Sequence, residues 1–151
     1  MHERIEAKWV AMFEEFLAAL TKVAPGEVVA LLSESQSRRI NVELAELALA
    51  RLGARVFHVV VPSPRTSAPA ELRSTGTCLA LGGLPQVVDA LAGANLVVDL
   101  TVEGLLHTRE RKDILARGAR IFMLSNEHPQ ALERFRVDPA LQAKCVAGAQ
   151  M

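Results

Sequence analysis

Asp99, Thr101, Glu103 and His107 crowd into one short stretch, DLTVEGLLH, which carries carboxylates, a hydroxyl and an imidazole. A carboxylate near an imidazole can move a proton, because histidine titrates close to neutrality. Two other readings stand beside that one. Asp99, Glu103 and His107 make a conceivable metal triad, but spacing of i, i+4, i+8 across a strand end is not a ligand signature. An aspartate closing an apolar run also accepts hydrogen bonds from the backbone N–H groups around it. For His107 the alternative to ligand contact is a surface residue beside a helix start.

Other candidates are weaker. Ser33-Glu34-Ser35-Gln36-Ser37-Arg38-Arg39 joins hydroxyls and guanidiniums to an expected helix start, a combination that can hold a carboxylate or phosphate. Helix capping by Ser35 or Ser37 and surface ion pairs explain the segment equally well. The Gly-rich nucleotide signatures are missing. Arg65 and Arg73 lie in PSPRTSAPAELRSTGT, a segment that reads as a lid, a subunit contact or a solvated connection. His128 in SNEHP is expected to be structural, with Pro129 at the first helical position and Asn126 or Glu127 near the cap. His58 is expected to be a satisfied interior histidine. Neither Cys78 nor Cys145 sits beside an expected helix start with a histidine partner, and no nucleophile elbow occurs.

The elements that must position these residues follow from periodicity. Ile5, Trp9, Phe13, Phe16 and Leu20 mark one face of a first helix. Val28–Leu32, Ala54–Val61, Asn95–Leu100 and Arg120–Ser125 are short, apolar and β-branched, hence strands. Between them lie helical patterns at Ile40–Ala48, Leu84–Ala92 and from a Thr108 cap to Arg117, followed by Gln130–Phe135 and Pro139 to about Ala147. Strands alternating with helices imply right-handed crossovers and a parallel sheet covered on both faces. The expected fold is therefore α/β, a Rossmann-like or flavodoxin-like open parallel sheet of about four strands in the order 2-1-3-4. Residues 1–151 read as a single domain. The want of a fifth strand before Met151 leads us to expect one piece of a longer polypeptide.

Lys+Arg and Asp+Glu balance at 17 each, so no global field draws the chain to nucleic acid or to an anionic membrane. No apolar run reaches the roughly 18 residues that span a bilayer, and the N-terminus lacks a signal-peptide core. Two distant cysteines fit reduced thiols, so a cytoplasmic location is expected.

LSESQSRRINVELAELALARLGARVFHVVVPSPR, NLVVDLTVEGLLHTRE and IFMLSNEHPQALERF resemble the N-terminal domain of the 2,5-dihydroxypyridine 5,6-dioxygenase family. That family groups with the aminopeptidase T-like metalloproteins, often labelled leucyl aminopeptidases. The resemblance implies ring opening in nicotinate degradation by a mononuclear non-haem Fe(II), held by two histidines and one carboxylate in a C-terminal domain. Nothing here corresponds to those ligands, so no metal ligand is assigned, none is expected to bind here, and the chain alone is expected to be inactive. The implied partners are the missing C-terminal metal domain, a small aromatic substrate with O2, and further copies in a homo-oligomer. The resemblance also implies that the Gly104–His107 loop reaches an adjacent subunit's substrate. Leu106 would pack on the pyridine ring, with Leu105 and Glu103 in the same contact, and His107 would bond or exchange a proton with a ring hydroxyl. Two alternatives remain. One is the same domain in an aminopeptidase T-like hydrolase that uses metal-bound water. The other is a non-catalytic interaction module dimerising through Trp9, Phe13 and Phe16.

Overall fold

Four apolar segments pair side by side, the central two buried along nearly their whole length and the outer two more open. They are β1 (Val28–Glu34), β2 (Arg55–Val61), β3 (Leu96–Asp99) and β4 (Arg120–Met123), all parallel, in the order β2-β1-β3-β4. The computed structural model describes residues 3–65, 75–135 and 137–150. Six helices complete it: α1 (Ala7–Thr21), α2 (Arg39–Arg51), α3 (Pro85–Ala92), α4 (Arg111–Ala116), α5 (Pro129–Leu132) and α6 (Pro139–Ala149).

The two-residue alternation of strands divides the core. Val29, Leu31, Leu96 and Val98 point to one face, where they meet Trp9, Phe13 and Leu17 of α1 and Leu44, Ala48 and Leu49 of α2. Ala30, Leu32 and Val97 point to the other, against Leu91 of α3 and Ile114 of α4. Truncating a residue as enclosed as Phe13 would cost about 3–5 kcal/mol. Trp9, Phe13 and Phe16 are all buried, so they are core of this domain and not the dimerisation face that an interaction module would need.

Several local expectations change. Strand β1 runs on through Ser33 and Glu34, both buried, because it stays paired with β2 as far as Glu34 opposite Val61. Neither Ser35 nor Ser37 caps α2: its N-cap is Arg38, with no side-chain cap bond. Ser37 Oγ instead accepts from Glu34 N at 2.8 Å and donates to Leu100 O at 2.7 Å, which ties the end of β1 to the end of β3. Nor does Thr108 cap α4, whose N-cap is Glu110. His58 is exposed, since β2 is an edge strand, and its Nε2 lies 3.2 Å from Glu46 Oε2 of α2. The interior reading of His58 is thereby corrected.

Candidate functional site

The chain leaves the carboxyl end of β1 toward β2 on one side and that of β3 toward β4 on the other, so the switch point of the sheet falls between β1 and β3. Two carboxylates stand at that edge. Ala30, Leu32 and Glu34 alternate along β1, as Val97 and Asp99 do along β3, with Leu32 opposite Asp99. By this alternation both acids project on the same side of the sheet as the α3–α4 core.

Asp99 is 1% exposed, and both its oxygens are occupied. Oδ1 accepts from Thr101 N at 3.0 Å and Thr101 Oγ1 at 2.7 Å, while Oδ2 accepts from Leu105 N at 2.7 Å. Thr101 Oγ1 in turn accepts from Gly104 N at 3.1 Å. Burial raises the Asp99 pKa; these bonds oppose the rise, and the charge of Glu34 adds to it. Glu34, also buried, accepts from Ser63 Oγ on Oε1 at 3.0 Å, and the Cys78 thiol donates to Oε2 at 3.6 Å. Desolvation pushes the Cys78 thiol up to about 11, so it stays protonated at neutral pH.

A second segment braces the loop after β3. Gly76 N donates to Glu103 O at 2.6 Å, Cys78 N donates to Gly104 O at 3.0 Å, and His107 N donates to Gly76 O at 2.5 Å. Thr75 donates from both N and Oγ1 to Glu103 Oε2, at 2.8 and 2.5 Å. Thr108 Oγ1 accepts from Cys78 N at 2.9 Å, which is why this buried threonine is unavailable as a helix cap. Gly76 and Gly104 both have positive φ, 77° and 80°, and a Cβ on Gly104 would overlap Met123 Cε.

The expected site residues separate in this frame. Leu106 is 47% exposed and His107 is exposed beside it. Leu105 is 0% exposed and packed in the α3–α4 core, where it anchors the loop. Glu103 is half-buried and engaged with Thr75. Arg65 is exposed; Arg73 lies outside the described residues. His128 is structural: its Nδ1 accepts from Gln130 N at 3.1 Å as the N-cap of α5, and its ring meets Trp9 edge-on at 5.3 Å. The Ser33–Arg39 segment is largely satisfied internally, with Arg39 paired to Glu43 and Arg38 N donating to Asn126 Oδ1. Sequence reasoning placed Glu34 in a candidate anion-binding segment and Ser63, Thr75 and Gly76 in a candidate lid or contact segment, without the bonds they make here; the signal for Glu34 was that it continues the alternation of Ala30 and Leu32.

Two clefts of some size do not involve the loop. An apolar one of about 510 Å³ lies among Phe16, Phe122, Leu132, Phe135 and Leu141, and a polar one of about 490 Å³ among Glu34, Arg39, Glu46 and His58. Leu106 and His107 line neither. Among the described residues no group of three His, Cys, Asp or Glu side chains is placed to share a cation, and no helix is long and apolar enough to cross a membrane.

An open parallel sheet in this order, with its carboxyl-edge loops pinned by buried acids, defines a doubly wound α/β domain whose natural contact region is the switch point. The chain belongs to the 2,5-dihydroxypyridine 5,6-dioxygenase family, whose profile (NicX) matches residues 8–151. It is 35% identical over 130 residues to the 2,5-dihydroxypyridine 5,6-dioxygenase of Pseudomonas putida strain KT2440, which covers 85% of this chain and 36% of that protein. A solved structure of 2,5-dihydroxypyridine dioxygenase from P. putida KT2440 superposes with a TM-score of 0.74 at 33% identity, over 87% of this chain and 38% of the other. The chain thus spans little more than a third of the length of these relatives.

Proposed function

We propose that this chain is the N-terminal domain of a non-haem Fe(II)-dependent ring-cleaving dioxygenase that acts on 2,5-dihydroxypyridine in nicotinate degradation. In this reading it supplies scaffold, oligomer contacts and one loop of the active site. The observation that carries the reading is the loop itself: Leu106 and His107 are exposed on a turn whose base is buried and hydrogen-bonded to Asp99, and they line neither of the two clefts described above. A rigid loop holding an apolar side chain and an imidazole outward suits a site completed by another surface. That surface would be the C-terminal domain of an adjacent subunit in a homo-oligomer. Leu106 would cover the face of the pyridine ring, and His107 would hydrogen-bond or exchange a proton with a ring hydroxyl.

The described residues do not fit an iron centre. Asp99 spends both oxygens on three donors, and no three ligand-type side chains converge. We therefore assign the iron to the part of the relatives' length that this chain does not span, and route no chemical step through residues of this chain to a metal.

The test joins this chain to the C-terminal portion of the P. putida relative and measures consumption of 2,5-dihydroxypyridine with Fe(II) present. His107→Ala should lower kcat/KM by about a hundredfold, the lower range for loss of an acid–base group. Leu106→Ala should chiefly raise KM. Turnover unchanged by His107→Ala would remove the loop from the reaction.

A further inference from the structure

We propose that Asp99 is a positioning residue for the Leu106–His107 pair: its carboxyl group is the post around which the Thr101–Leu105 turn is wound. This rests on the functional reading above for what the pair does, but its mechanical content stands on geometry. The three hydrogen bonds that the carboxylate accepts all come from one turn, from Thr101 N, Thr101 Oγ1 and Leu105 N. Thr101 Oγ1 then reaches Gly104 N, so the carboxylate and one hydroxyl together satisfy donors at Thr101, Gly104 and Leu105. The residue after that last donor is Leu106. With Leu105 enclosed in the core, the direction in which Leu106 and His107 leave the surface follows from where Leu105 N is held.

In all three of its bonds the carboxyl group of Asp99 is the acceptor, from Thr101 N, Thr101 Oγ1 and Leu105 N. An amide would turn a donor of its own toward one of these donors and weaken the hold on a buried N–H. The domain keeps the carboxylate at a cost: burial raises the Asp99 pKa, so the folded state holds this proton more readily than the unfolded chain does.

The experiment uses this chain without substrate. In Asp99→Asn, amide hydrogen exchange at Thr101 and Leu105 should quicken by about tenfold or more, and the His107 imidazole signals should move toward those of an unstructured histidine. Exchange at Leu31 and Val97 in the sheet should stay within about twofold. Thr101→Val, which removes only the hydroxyl, should quicken Gly104 exchange most, and it provides the same reading should Asp99→Asn fail to fold. Leu105 as protected as before in Asp99→Asn, or protection lost evenly across the sheet, would overturn the proposal. Because no turnover is involved, a failure of the dioxygenase reading shows separately, as His107→Ala with unchanged activity.

Discussion

The backbone N–H of His107 donates to the carbonyl of Gly76 at 2.5 Å, and a Cβ placed on Gly76 would lie 3.1 Å from His107 Cδ2 and 3.0 Å from Leu106 Cβ. The segment that leads into α3 is thus packed so closely on the loop after β3 that a side chain at Gly76 would have to displace its neighbours, at a φ of 77° that other residues resist. Gly76→Ala should destabilise the domain by about 1–2 kcal/mol through the left-handed backbone alone. It should also shift the Leu106 and His107 resonances. Denaturant unfolding and a heteronuclear NMR spectrum check both; unmoved His107 signals would contradict the close packing.

Gly104 presses on Met123 from the other side. Gly104→Ala combines a strained φ of 80° with overlap of the Met123 methyl, so it should cost more than Gly76→Ala, about 2–3 kcal/mol. Shortening the neighbour should relieve only the steric part. Gly104→Ala with Met123→Ala is therefore expected to be less destabilised than the two single changes summed, by at least about 0.5 kcal/mol in a double-mutant cycle.

The two cysteines should differ sharply in reactivity. Cys78 is buried with its thiol held near 11, whereas Cys145 is exposed on α6. At pH 8, iodoacetamide should modify Cys145 and spare Cys78 until denaturant is added. Since the folded-state value of Cys78 lies above its ordinary 9.0, its contribution to stability is complete below pH 9 and is lost as pH climbs through about 11. Cys78→Ala should accordingly flatten the alkaline limb of a stability–pH curve, measured by thermal melts. A limb of unchanged slope would show that the thiol is not in its protonated, buried state.

His128 combines two structural duties that can be separated. Asparagine can cap a helix but cannot stack, so His128→Asn should keep the bond to Gln130 N and lose only the edge-on contact with Trp9, about 0.5–1.5 kcal/mol. His128→Ala should lose about 1 kcal/mol more for the missing cap. Equal losses in calorimetry would mean that the ring alone matters.

Much of the architecture is legible in the chain because its physics is local. β1 and β3 are continuous apolar runs, and their order in the sheet follows from crossover connections. The long apolar spacing of α1 announces a buried face, yet not what covers it; Trp9, Phe13 and Phe16 turned out to pack on their own sheet and α2. His58 was misjudged for a related reason. A strand's composition does not say which of its neighbours exist, and an edge strand exposes residues that a central one would bury. Ser37 and Thr108 look like caps in sequence, but each bonds a backbone group far along the chain: Leu100 O for Ser37, Cys78 N for Thr108.

By itself, then, the sequence determined which segments are strands and helices, the parallel order of the sheet, and that Asp99 to His107 stands at its carboxyl edge. Hydrophobic period and turn chemistry act over a few residues and can be read there. Only the tertiary structure decided that Leu105 turns inward while Leu106 and His107 turn out, and that Glu34 and Asp99 are buried near one another holding separate loops. Those outcomes depend on contacts between residues distant in the chain, where Gly76, Thr75 and Met123 close on the same turn, and no local pattern encodes such a meeting.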